Sequence, residues 1–535
     1  MFERFGFPSF LLGICVTVWL IQRRNRIPLP PGPRGYPLIG NLLDIPTSYE
    51  WLTWSNLGEK WGKYRLKVAS GHAQLNSADV VLVGDLCSLS VLGNTIIVIN
   101  SYSQAVKMLN EKSEIYSERP YVPMATVTSG FGDMMGLLPN DRRLWAYRKM
   151  FHDGFGTNAG IRTFYPQQEY LSNLFIKKLL KGSGDLLDHC FHHSGASILR
   201  IAYGYEVEES NDPMIAMSTL AVDNFSQATA PGRFLVNTIP LLLKAPDWCP
   251  GTAWKATGKK WAKDYRDMED LPFKFTKLRH MQGRADDCFV VRWLGQSLSP
   301  QEEKELKHAA ASMFAGGAET TTITIYAFIL MMCLYQDVQK RVQHEIDDVI
   351  GLNRLPTCED RNRLPYLRAV LKEVNRFHTL APCSVPHSTS ADDIQDGKFI
   401  PKGSIVFPNI WKMAHDPSTY KDPMVFDPTR FLGDSQEQDP NEYIFGFGRR
   451  SIDPFAQKCN LIDIVVYRVC PGRLLADVSL FITAAMMLFA FDISPLPGEP
   501  PVYESLPGII SRVRPFKCRI TPRKDIVGLT ALMEE

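Results

Sequence analysis

The sequence contains no CxxC pair, no Cys/His spacing suited to zinc, no Gly-rich dinucleotide fingerprint, no internal repeat and no low-complexity tract. The first two absences argue against a zinc module. The third means that any electrons the protein uses are carried in by another protein. A charge excess of one sign is missing too: 59 Lys and Arg against 57 Asp and Glu leave +2, which gives no reason to expect a nucleic-acid partner. With 45% apolar and 22% charged residues the chain is neither disordered nor a multi-span membrane protein. Its eleven cysteines are scattered singly, as expected of reduced, mostly buried thiols in a protein facing the cytosol.

Charge is also missing from Phe5 to Ile21, a run of 17 residues, and Arg23, Arg24 and Arg26 follow it. A spanning helix needs about 20 apolar residues, with about 17 as the lower limit. No small-x-small cleavage site follows, so the run reads as an anchor over 1–22 rather than a cleaved signal. Basic flanks stay in the cytosol, which would put the main body there and the N-terminus in the lumen. Residues 23–35 form a basic, proline-rich hinge ending in LPPGPRG, expected to be a stiff extended spacer. The sequon Asn224-Phe-Ser226 would then face away from lumenal glycosylation.

The rest, 36–535, reads as one mainly α domain with a minor strand-rich part. Short β-branched runs such as TIIVIN at 95–100 predict strands, and helical periodicity dominates from about 101 to 350. The longest predicted helix covers 300–330, opened by Ser299 and Pro300 with acidic residues in its first turn. Further helices are predicted near 337–350, 365–378 and 472–491.

Four motifs carry candidate chemistry. Phe445-Gly-Phe-Gly-Arg-Arg450 and Val469-Cys-Pro-Gly-Arg473 stand near the C-terminus. Ala315-Gly-Gly-Ala-Glu-Thr-Thr321 lies inside the long helix, where each glycine costs about 1 kcal/mol relative to alanine, so close approach of another group must offset it. There Thr320 can bond back to a carbonyl one turn earlier. Glu373-Val-Asn-Arg376 puts both side chains on one helical face, with Pro428-Thr-Arg-Phe431 downstream. Leu144-Trp-Ala-Tyr-Arg-Lys149 is a basic helix end. Each has a plainer alternative when taken alone: a turn, a helix crossing at small residues, a common surface pair, an exposed basic terminus.

Joined, the two C-terminal pieces read FGFGRRVCPGR, which resembles the haem-binding signature FxxGxRxCxG of the cytochrome P-450 superfamily. The glycine pair and its followers are similar to that family's A/G-G-x-D/E-T-T/S motif, and ExxR and PxRF occur in the family's order. VPHSTSADD at 385–393, the stretch 397–417 and FKC at 516–518 look like fungal microsomal members. The resemblance implies the P-450 fold, a triangular helical prism after one transmembrane helix, and a haem b held by Cys470, whose thiolate pushes electron density onto iron. It assigns Phe445, Gly448, Arg450 and Gly472 to the haem loop, with Arg450 on a propionate, and Gly316 and Gly317 to the helix face over the haem. Thr320 would deliver protons during oxygen activation with Glu319 assisting. Glu373, Arg376 and Arg430 would form a buried network holding the cysteine loop, and Thr379 stands where the family usually has proline. The W-x-x-x-R propionate site is out of register, so either Arg148 or Lys149 could serve.

The implied reaction is RH + O2 + 2e⁻ + 2H⁺ → ROH + H2O. Its electrons come from NADPH through a separate flavoprotein reductase, with cytochrome b5 as a second donor. The substrate would be a lipophilic small molecule, such as a polyketide or terpenoid or an aromatic xenobiotic, met at the endoplasmic reticulum membrane.

Two segments depart from the family. Nineteen residues, 451–469, separate Arg450 from Cys470, where one is expected. Codons for 451–468 can be written as an in-frame intron whose removal gives FGFGRRICPGR, and residues 63–84 can be written the same way. Both read as retained introns, and 451–468 is expected to break the loop. The alternatives are therefore a haem-loop-disrupted product of a mis-spliced message, or a haem-thiolate isomerase or dehydratase; Thr320 argues against the latter.

Overall fold

The computed structural model describes residues 27–61, 64–65, 81–82, 85–182, 184–351, 353–448, 468–523, 528 and 531–533. The anchor at 1–22, most of both interrupting segments and Arg450 lie outside the described residues.

The fold is mainly helical with small sheets. Helices that matter for the site are α1 (Glu50–Trp61), α2 (Arg142–Phe155), α3 (Tyr165–Leu180), α4 (Leu186–Tyr203), α5 (Pro213–Thr229), α6 (Ala253–Met281), α7 (Pro300–Leu334), α8 (Gln336–Val349), α9 (Pro365–Phe377) and α10 (Arg473–Ala490). Helix α7 starts where its sequence says it should. Ser299 accepts from the Glu302 N–H, the Glu302 carboxylate accepts from the Ser299 N–H at 2.8 Å, and Pro300 opens the first turn. This helix runs through the centre, packed against α2, α4, α5, α6, α9 and α10. Both α7 and α10 are apolar enough to cross a membrane, yet 72% and 78% of their apolar windows are buried inside the protein. They are core helices, and each fully buried Leu, Ile, Phe or Met contributes roughly 1.5–3 kcal/mol.

The main sheet joins distant parts of the chain. Strands β1 (Leu86–Val91) and β2 (Asn94–Ile99) form a hairpin whose turn residues Leu92 and Gly93 both have positive φ, 49° and 87°, as a type I′ turn requires. Strand β2 then pairs in parallel with β4 (Ile405–Pro408), with Ile96 opposite Ile405, and β4 carries β3 (His387–Ser388) on its other side. Ser388 also bridges to Glu118. That bridge brings residues 117–119 beside 385–388.

The hinge differs from a free spacer. Its second half is strapped down at two places: the Ser88 N–H of the hairpin donates to the Pro31 carbonyl at 2.9 Å, and the Phe399 N–H, from a separate two-stranded sheet, donates to the Pro28 carbonyl at 2.9 Å. A Cβ on Gly32 would lie 1.8 Å from the Ser88 carbonyl oxygen, so only glycine fits there. Within 63–84, the described pairs Tyr64 with Leu82 and Arg65 with Val81 run antiparallel, so the segment leaves and returns at one place. The nine described cysteines are all free thiols.

Candidate active site

The ExxR pair is fully buried. Arg376 donates Nε and Nη2 to the two Glu373 oxygens, both at 2.7 Å, and both side chains have no exposed surface. Arg430 approaches the same carboxylate at 3.3 Å and reaches Glu437 at 2.6 Å. The Asp427 N–H adds a fourth donor to Glu373 at 2.8 Å. Arg376 also donates to the carbonyls of Ala414, Pro423 and Val425, which ties α9 to the loops before the cysteine segment. Two charges on one side and two on the other are thus hydrogen-bonded as well as paired, which is what makes burial of ions tolerable. Thr379 caps this region by donating to the Arg376 carbonyl at 3.0 Å.

From there a polar relay leads to the cysteine. The Arg376 guanidinium sits 5.2 Å from the Tyr420 ring centre, and the Tyr420 and Tyr443 hydroxyls are 2.6 Å apart. Tyr443 precedes Phe445 by two residues, and the Phe445 carbonyl accepts the Cys470 N–H at 2.8 Å. Gly446 has φ 89°, and a Cβ there would meet the Arg468 carbonyl at 3.0 Å. The Gly448 N–H donates to Asn110 Oδ1 at 2.6 Å. The two halves of the signature, separated in sequence, therefore lie side by side. This differs from the expectation that 451–468 opens the loop: the chain returns to the same place, because the hydrogen bonds are made by residues on either side of the segment.

Cys470 itself is exposed, although protein surrounds it closely enough that burial pushes its thiol upward. The Gly472 N–H and the charges of Arg148 and Arg473 pull the other way. Gly472 is the N-cap of α10, so the helix's positive end begins beside the sulfur.

Three guanidinium groups crowd the same region. Arg148 donates Nη2 to the Val469 carbonyl at 2.8 Å. Arg119 donates to the carbonyls of Val385 and Pro386 at 2.7 and 2.8 Å, and its buried Nε has no partner. Arg468, 7% exposed, donates to the carbonyls of Ser117 and Leu138, both at 2.8 Å. Among the described residues none of the three has a carboxylate within ion-pairing distance. Burial lowers Arg148 and Arg468 to about 10 each, and Arg119 is lowered by burial and then by its two neighbours. His387, bonded through Nδ1 to the Tyr116 carbonyl at 2.7 Å, is driven well below the usual histidine range by burial and by Arg119, so it is neutral. Lys149 points elsewhere. It is exposed and lines a separate pocket of about 240 Å³ with Asp153, Phe289 and Arg292. Sequence reasoning missed Arg119, which stands in an undistinguished Ser-Glu-Arg-Pro. It also missed Arg468, whose signal was its spacing from Cys470.

On α7 the glycine motif behaves as its residue types require. Thr320 donates its hydroxyl to the Gly316 carbonyl at 2.7 Å. Gly316 is exposed in a largely buried helix, and a Cβ there would meet nothing within 4 Å; one on Gly317 would lie 2.7 Å from the end of Ile198. Glu319 is 6% exposed and not free: Arg512 donates Nε to it at 2.7 Å and turns Nη2 to Asp223 on α5 at 2.8 Å. Burial raises the Glu319 carboxyl, and Arg512 opposes that.

The donor set fits a haem. It offers one thiol at an exposed point, one buried and two half-buried cations with no carboxylate in ion-pairing distance among the described residues, and a glycine face with room beside it. Such an arrangement defines a haem-thiolate enzyme.

Comparison with known proteins agrees. The sequence model of the Cytochrome P450 family matches residues 30–451. Cytochrome P450 monooxygenase 208 of Postia placenta is 38% identical, over 97% of this chain and 95% of the relative. Cytochrome P450 monooxygenase claR of Ampulloclitocybe clavipes is 37% identical, over 96% and 90% respectively. O-methylsterigmatocystin oxidoreductase of Aspergillus flavus is 32% identical, over 96% and 91%. The chain belongs to the cytochrome P450 family and is a haem-dependent monooxygenase that receives its electrons from a reductase.

Proposed function

We propose that this monooxygenase is anchored in the endoplasmic reticulum membrane by residues 1–22, with its catalytic domain in the cytosol. We propose further that it hydroxylates a lipophilic secondary metabolite or aromatic xenobiotic. The single observation carrying the site assignment is Cys470, held by the Phe445 carbonyl and the Gly472 N–H beside the guanidinium groups of Arg119, Arg148 and Arg468. Haem, when bound, supplies the oxygen-activating iron chemistry. Cys470 Sγ is its ligand, and Arg148 with Arg119 meets its carboxylates. Glu373, Arg376 and Arg430 hold the loop through Tyr420 and Tyr443. Gly316 keeps space open on α7, and Thr320 Oγ1, whose proton rests on the Gly316 carbonyl, can turn that proton inward and take a replacement from solvent.

The apolar surface suits a membrane-delivered substrate. Between α5 and α6, Leu235, Leu241 and Trp248 are 60%, 69% and 82% exposed, a setting in which side chains insert at a lipid interface. One relative is named for oxidation of O-methylsterigmatocystin. The redox partner proposed is the NADPH-dependent flavoprotein reductase of that membrane, with cytochrome b5 as accessory donor. The test is reconstitution of the full chain with such a reductase in phospholipid vesicles. One atom of isotopically labelled dioxygen should appear in the product of a lipophilic polyketide, terpenoid or aromatic probe. Reductase-dependent NADPH use with label only in water across all three classes would reject the substrate class. Recovery of the protein in an alkaline carbonate wash would reject the anchor.

A further inference from the structure

Glu319 follows Gly316 by three positions and Thr320 follows it by four, so both stand on the same side of α7 as the exposed glycine, one turn further along. Whatever holds Glu319 therefore borders the open face. That group is Arg512, from the C-terminal part of the chain. Residues 504–514 fold back on themselves: Ser505 bridges to Val513, the Leu506 N–H donates to the Arg512 carbonyl at 2.7 Å, and the Arg514 N–H donates to the Glu504 carbonyl at 2.9 Å. The Ser511 N–H donates to the Leu380 carbonyl at 2.8 Å, which fixes this stretch to the residues after α9 immediately before Arg512. Asp223 of α5 receives the other edge of the guanidinium.

The polar atoms of this bridge are not all engaged. Arg512 commits Nε to Glu319 and Nη2 to Asp223 Oδ1, which leaves Nη1 and Asp223 Oδ2 without a protein partner among the described residues. The Arg512 and Asp223 side chains are 37% and 46% exposed, against 8% for Glu319. A donor and an acceptor, joined by a 2.8 Å bond, thus lie side by side and accessible at the border of the Gly316 face. With Glu319 ionised the bridge carries one net negative charge, and with it protonated, the form that burial favours, it carries none. In neither state is a positive charge left over for an acidic substrate.

We propose that Arg512 and Asp223 act as a specificity pair. Arg512 Nη1 donates to a carbonyl oxygen of the substrate, Asp223 Oδ2 accepts from an N–H or O–H beside that carbonyl, and carboxylic acids are turned away. The substrate class narrows to neutral lipophilic molecules with a carbonyl next to such a donor, as in a cyclic amide. The inference rests on the reading of the α7 glycine face as the substrate's place. In a mainly apolar pocket the few placed polar groups discriminate most strongly, because a ligand without matching groups removes their water and returns no hydrogen bond. An acid adds a negative charge beside one already present.

The test titrates the full-length holoprotein with three tricyclic aromatics of matched shape, phenanthridinone (a cyclic amide), phenanthrene and phenanthrene carboxylate, with binding followed by displacement of the Soret band. Phenanthridinone should bind the parent about tenfold more tightly than phenanthrene, and the carboxylate should bind least. Asp223→Asn should cut the phenanthridinone advantage to about threefold or less and raise the affinity for the carboxylate about tenfold, with phenanthrene unchanged. Arg512→Met is the second variant should Asp223→Asn fail to fold by circular dichroism: it should abolish the preference for phenanthridinone while the carboxylate stays excluded. A bridge that only braces α5 would move all three probes by the same factor. Such a common shift in Asp223→Asn, or affinities of the parent for the three probes equal within about twofold, would overturn the proposal. If none of the three moves the Soret band of the parent, the reading of the glycine face as the substrate's place falls, and the specificity pair with it.

Discussion

Replacing Arg376 with alanine should be the most damaging single change away from the cysteine. Its side chain is completely buried, and it makes two 2.7 Å bonds to Glu373 and three to backbone carbonyls. Breaking a buried ion pair by deleting one partner costs about 3–5 kcal/mol, because the other charge stays behind uncompensated. Glu373 would keep Arg430 at 3.3 Å and the Asp427 N–H at 2.8 Å, which softens the loss. The carbonyls of Ala414 and Pro423 would be left without this donor, at roughly 1 kcal/mol each before relaxation. These terms do not add independently, so the expected loss is about 4 kcal/mol. Arg430→Ala should cost about half as much, since Arg430 reaches Glu373 only at 3.3 Å, its other charged partner, Glu437, is partly exposed, and it donates to two backbone carbonyls, Lys421 and Val425, rather than three. The assay is denaturant unfolding of the holoprotein by circular dichroism, with the slope checked for constancy. Haem occupancy should fall in parallel, through Tyr420 and Tyr443. A loss below about 1 kcal/mol for Arg376→Ala, or one equal to that of Arg430→Ala, would refute the claim that this network holds the loop.

Other variants should separate roles on α7. Thr320→Ala should lower product turnover by about 10²-fold while NADPH use continues, measured as product formed per NADPH; parallel loss of both would mean that the hydroxyl only supports the helix. Gly316→Ala should raise the unfolding free energy by about 0.5–1 kcal/mol, because a Cβ there meets nothing within 4 Å, and a lower midpoint would contradict the open face. Arg512→Gln should shift the pH dependence of turnover. Arg512 lowers a Glu319 carboxyl that burial raises, so without it the carboxyl protonates at higher pH. If ionised Glu319 serves turnover, the acid-side fall then begins at higher pH than in the parent; an unmoved acid limb would remove Glu319 from the proton path.

Much of this could be read in the chain before any coordinates. The capping signals at Ser299 and Glu302 and the apolar periodicity placed α7 to within a few residues, and the ExxR spacing put Glu373 and Arg376 on one face. Thr320 makes the backward bond that its place after two glycines suggested. What stayed hidden depends on contacts between distant segments. Arg119 meets the site only because Glu118 bridges to Ser388 across the sheet. The Glu319–Arg512–Asp223 bridge links residues 193 positions apart through Arg512 Nε and 289 apart through its Nη2. Arg148 was distinguishable from Lys149 only once one was seen bonded to Val469 and the other on a separate pocket. The closure of the loop across 451–468 was not legible either, because sequence counts residues between Arg450 and Cys470 while the fold brings Phe445 to Cys470 directly.

The most direct test of the whole account is the carbon-monoxide difference spectrum of the reduced, full-length protein beside its Cys470→Ala variant. A thiolate-type Soret band in the parent, lost in the variant, is the predicted result. Either a parent that takes up no haem or a variant that keeps the band would contradict it.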